Sequence, residues 1–108
     1  MEKMTVKISE DVFERLEEDN LKQAEEALAK GMFEVAENLG VLTLIKSGLM
    51  TQLNIMGYHI WNKIKESKTV PQLAEEISKD FEVPYETALE DVKVFLKDLI
   101  DSGFVIYE

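Results

Sequence analysis

Val41-Leu42-Thr43-Leu44-Ile45-Lys46-Ser47-Gly48-Leu49-Met50-Thr51-Gln52-Leu53-Asn54 is the stretch that decides the fold. Its first five residues are β-branched or apolar, a run too short for an ordinary helix. Ser47-Gly48 supplies a tight reversal. Beyond it, Leu49, Thr51 and Leu53 alternate with Met50 and Gln52, the period of an extended strand. Asn54 is then a strong helix N-cap. The stretch reads as a β-hairpin that runs straight into a helix.

Working outward, residues 32–35 form another β-prone run, and Asn38-Leu39-Gly40 is turn chemistry. Strands at 32–35, 41–45 and 49–53 would make an antiparallel meander with the last strand on its edge. Downstream, Gly57, Ile60, Trp61 and Ile64 line one side of a helix reaching Ser67. Thr69 caps a second helix whose stripe is Val70, Leu73, Ile77 and Phe81, with Pro71 tolerated in its first turn. A third opens near Pro84-Tyr85, carries Ala88, Val92, Phe95, Leu96 and Leu99 on one face, and ends at Gly103. Phe104 to Tyr107 adds a short apolar tail.

Residues 1–31 read differently, as an acidic helical extension with nine acids against five bases. Ser9 would cap it, with Glu10 and Asp11 in the first turn where the helix dipole favours anions. Phe13 and Leu16, then Leu21, Ala24 and Leu28, supply apolar steps, but the gap from Leu16 to Leu21 breaks the stripe. One imperfect helix, or two short ones meeting near Asp19-Asn20, would end at Gly31. The expected class is α+β, a winged-helix-like domain over 32–108: three antiparallel strands, then three helices.

Composition narrows the function classes. A chain of 108 residues fits one domain. It has no cysteine, which removes disulfides, thiolate catalysis and cysteine-ligated zinc or iron. With 22 acids against 12 bases the formal net charge is −10, and Arg15 is the sole arginine, so nucleic acid and anionic membrane are poor partners. No apolar run approaches bilayer length, and the charges Glu2, Lys3, Lys7 and Glu10 speak against a signal peptide, which reads as a cytoplasmic protein. His59 is the only histidine, so no metal cluster or Ser–His–acid triad is indicated. The glycines form no phosphate-cradling pattern. Neither catalysis nor a cofactor is expected.

Three segments read together: Leu53-Asn54 with Ile60-Trp61; Thr69-Val70 with Leu73-Ala74 and Ile77; and Asp91-Val92 with Phe95-Leu96, Leu99 and Gly103. Their order and spacing after a three-stranded meander resemble the PqqD family (coenzyme PQQ synthesis protein D), also described as the peptide-recognition element of ribosomally made, modified peptides. The resemblance covers roughly residues 32–106. It implies a non-catalytic adaptor that binds the leader of a precursor peptide and presents it to a modifying enzyme, often a radical SAM enzyme. It also implies that the leader lies along Leu49, Met50, Thr51, Gln52 and Leu53, in a cleft faced by Ala88, Asp91, Val92 and Phe95. Asp91 and Glu90 are candidates to hold a basic leader side chain.

The residues give this mechanism a physical case of their own. The last strand of a meander has unpaired backbone groups, and Leu49 to Leu53 contains no Lys, Glu, Asp or Pro, the usual devices that blunt an edge. Such an edge is covered or used, and an extended peptide can complete its ladder. An acidic surface would speed encounter with a basic leader. Two other readings compete. A winged-helix DNA-binding regulator needs a basic recognition helix, yet beside Lys93 and Lys97 stand Glu90, Asp91, Asp98 and Asp101. A self-associating module, as a homodimer, would cover the edge with the N-terminal segment or a second copy.

Overall fold

The structure, a computed structural model, describes residues 5–107. Glu2 and Lys3, used above against a signal peptide, lie outside the described residues. The elements are β1 (Val6–Ile8), β2 (Phe13–Leu16), α1 (Glu18–Ala29), α2 (Phe33–Glu37), β3 (Leu42–Lys46), β4 (Leu49–Leu53), α3 (Ile55–Ile64), α4 (Val70–Phe81), α5 (Tyr85–Asp101) and β5 (Val105–Tyr107). The class is α+β. Two compact units divide the chain: Asp11–His59 forms one, and the segment ending at Glu10 together with the chain from Ile60 onward forms the other.

In the unit Asp11–His59, β2, β3 and β4 form an antiparallel sheet in that order. Lys46 pairs with Leu49 across Ser47-Gly48, whose φ values of +50° and +81° are both left-handed. Two positive φ values define the I′ turn, whose twist matches the strands; glycine takes the second without strain. Leu42, Leu44 and Leu53 are buried on one sheet face. Beside the sheet, Ala24 and Ala27 of α1 and Ala36 of α2 pack with Val41 and Ile55 into a small core. Asn54 caps α3 as expected, its Oδ1 accepting from the Gly57 N–H at 3.0 Å.

Two expectations about this unit are overturned. Residues 32–35 are not a strand, because Phe33–Glu37 forms helix α2. Glu34, Ala36 and Glu37 favour a helix, and the turn sinks Ala36 into the alanine core while leaving Phe33 and Val35 exposed. The helical extension expected from Ser9 to Gly31, as one helix or two short ones, is not helical before Glu18 either. Phe13 to Leu16 forms β2, and the helix begins only at Glu18. The third strand of the sheet thus comes from the segment read as a helical extension, pairing Phe13 with Ile45 and Leu16 with Leu42. Gly31, at φ +74°, does follow the end of α1.

In the other unit, β1 pairs antiparallel with β5, Val6 opposite Tyr107 and Ile8 opposite Val105. Ser9 caps no helix: its N–H donates to the Phe104 carbonyl at 2.9 Å, extending that ribbon. The apolar tail after Gly103 is therefore a paired strand. The α4 stripe buries Val70, Leu73 and Ile77, with Phe81 half-buried. On α5, Ala88, Val92, Leu96 and Leu99 are buried at three- and four-residue steps. Lys63 bridges Glu76 at 3.3 Å and Asp80 at 3.0 Å, tying the end of α3 to α4, while Lys68 holds Glu76 at 2.8 Å.

Thr69 begins α4 with a full capping box. The Gln72 N–H reaches the Thr69 hydroxyl, and Gln72 Oε1 accepts from the Thr69 N–H at 2.9 Å. Thr69→Ala removes one half of this reciprocal pair and should cost about 1 kcal/mol, read as a lower urea midpoint with an unchanged slope.

Candidate functional site

Strand β4 has one described neighbour, β3, so among the described residues its outer side pairs with nothing. Alternate residues of an edge strand turn their N–H and C=O groups away from the sheet. Leu49 and Met50 are strongly exposed, Gln52 is exposed, Thr51 is half-buried and Leu53 is buried. The strand is thus anchored at its Leu53 end and open toward the hairpin tip.

The sheet face that carries Met50 and Gln52 has its own order. Cross-strand pairing aligns Arg15, Thr43 and Gln52 in one row and Phe13, Ile45 and Met50 in the next. In the first row, Gln52 Nε2 donates to Thr43 Oγ1 at 3.1 Å, and Thr43 Oγ1 donates to Glu17 Oε2 at 2.8 Å. Arg15 Nε donates to the same carboxylate oxygen at 2.9 Å. Thr43 is a fully buried polar residue, and this chain satisfies its hydroxyl. Gly40 makes room for it: a Cβ there would lie 2.6 Å from Gln52 Oε1 and 3.3 Å from Gln52 Cβ. The side chain at the β4 edge is therefore held between Gly40 and Thr43. The sequence reading passes over both Glu17 and Thr43 as site residues; a polar threonine within the apolar run 41–45 is the signal that points to them.

The Thr43 hydroxyl, then the Arg15 guanidinium, hold the Glu17 carboxyl below its usual range, against a smaller opposing effect of burial. A carboxylate with a depressed folded value adds stability that is complete above its unfolded value and is lost as the pH falls through its folded one. Stability should therefore decline on acidification below the ordinary glutamate range, and Glu17→Gln should make that decline shallower. Urea midpoints of both proteins from neutral to strongly acidic pH check this.

The remaining sequence-predicted positions lie on α5, in the other unit. Ala88 and Val92 are buried, Phe95 is half-buried, and Glu90 and Asp91 are both exposed. The structure thus gathers Leu49, Met50, Thr51, Gln52 and Leu53 on one strand, and Ala88, Asp91, Val92 and Phe95 on one helix. His59 is half-buried with its ring 5.7 Å from that of Tyr58. No group of three or more His, Cys, Asp or Glu side chains among the described residues is placed to hold a metal ion. No described helix is long and apolar enough to cross a membrane.

The family model for coenzyme PQQ synthesis protein D matches residues 40–105, more than half of the chain. The match begins at Gly40, just before β3, and ends within β5. No curated protein and no solved structure matches the chain.

Proposed function

This chain belongs to the PqqD family, and from that premise we propose that it is a non-catalytic adaptor whose β4 edge takes up the leader of a ribosomally made precursor peptide. The guest adds as a further strand, and the adaptor presents it to a modifying enzyme of the radical SAM class. Main-chain hydrogen bonds supply the affinity and side-chain contacts the selectivity. Asp91 and Glu90, both exposed on α5, add to the negative charge that draws a basic guest, while Ala88, Val92 and Phe95 belong to the apolar stripe of that helix.

One observation carries the reading. Among the described residues β4 pairs on one side only, and it has none of the charges or prolines that keep an open edge from pairing. The test is an amide NMR titration of the full chain with the leader of a short peptide encoded beside its gene and a radical SAM gene. Shifts centred on Leu49–Leu53 are expected. Shifts confined to other residues would remove strand addition at β4.

A further inference from the structure

Resting on the reading of β4 as a docking edge, we infer that the site selects guest strands with an apolar residue opposite Met50 and a polar residue opposite Gln52. The two cross-strand rows on one sheet face carry this. A guest strand continues whatever rows it joins, because directly opposed side chains meet at about 5 Å. The row Phe13–Ile45–Met50 is apolar across all three strands. Its outer members are open, Phe13 at 70% and Met50 at 66% exposure, and Ile45 between them is half-buried. An apolar guest side chain beside Met50 lengthens this row and removes apolar surface from water.

The neighbouring row has the opposite character. Arg15, Glu17, Thr43 and Gln52 are already linked by hydrogen bonds, and Gly40 keeps open the space that the Gln52 amide fills. An apolar guest group placed against Gln52 would take water from a polar amide and return no hydrogen bond. The sheet is antiparallel throughout, so an added strand of the same sense meets Gln52 before Met50 along its own direction. The selected pattern is polar, any residue, apolar. A second copy of this chain is a poor occupant, because a net charge of −10 on each partner opposes their approach.

The experiment displays random peptides of about ten residues, twice a typical strand, and pans them against the full chain and against Met50→Lys. Met50 is exposed, so the variant keeps its fold. Recovered peptides are synthesised and titrated by NMR. The inference expects binders that shift β4 amides, share the polar–any–apolar pattern, and bind Met50→Lys roughly five-fold more weakly, about 1 kcal/mol. Binders that shift β4 amides but lack the pattern, or ignore Met50→Lys, overturn the selectivity and leave strand addition standing. Failure of every recovered peptide to shift β4 overturns both. Shifts at β4 that depend on protein concentration without peptide assign the edge to a second copy and overturn the inference.

Discussion

Trp61→Ala will remove about 3–5 kcal/mol of folding free energy, a large part of the roughly 5–15 kcal/mol that holds a domain of this kind together. Trp61 has no exposed surface and sits on α3 between the buried Ile60 and Ile64. Its loss removes the transfer energy of a large ring and leaves a void that the helix can only partly close. The indole N–H finds no hydrogen-bond partner among the described residues, so the native site also bears a desolvated donor. Trp61→Phe deletes that donor and loses less volume. Its cost should be under half that of Trp61→Ala. Circular dichroism in urea is the suitable probe, because Trp61 is the only tryptophan and fluorescence vanishes with it. Equal costs would mean that the N–H is satisfied in solution; a cost below about 1 kcal/mol for the alanine variant would place the ring at the surface.

The helices from Asn54 onward are legible because each announces itself locally. Asn54 and Thr69 bond the backbone of their own first turns, and Gly103 leaves α5 at φ +84°. The apolar stripes of α4 and α5 recur at helical spacing and are buried where they recur. The β3–β4 hairpin is legible for the same reason: Ser47-Gly48 dictates its own turn.

The first forty residues resist such a reading because what decides them is not local. Val6, Lys7 and Ile8 alternate, but only the arrival of β5, close to the other end of the chain, makes them a strand. Phe13 and Leu16 stand at helical spacing, yet β3 offers that segment a ladder. Residues 32–35 look β-prone, and the burial of Ala36 among other alanines outweighs that preference. The two differences compensate at the place that matters for binding. The strand expected at 32–35 is replaced by β2 on the far side of β3, so β4 keeps the edge. The Glu17–Thr43–Gln52 chain leaves no trace in local pattern, since its members are 26 and 9 residues apart and meet only through strand register.

That edge makes a sharp prediction about proline. Met50 and Thr51 are adjacent in β4, so one directs its N–H toward β3 and the other directs its N–H outward. Proline removes the N–H and fixes φ, which an edge strand tolerates only where the N–H faces away from its neighbour. Met50→Pro and Thr51→Pro, made separately, should therefore behave differently. One will lose a ladder hydrogen bond and about 1–3 kcal/mol of stability, because a β3 carbonyl is left unpaired. The other will fold with near-normal stability and lose leader affinity by more than about tenfold, since it withholds a donor from the incoming strand and crowds its approach. Thermal melts sort the two variants and calorimetric titration with the leader reads the second. Full leader affinity in the stable variant would show that the guest does not use the backbone of β4. Lys46 and Leu49 close the two-residue hairpin as a hydrogen-bonded pair, so Thr51, two residues on, directs its N–H toward β3, and Met50→Pro is the variant expected to stay stable and lose the leader.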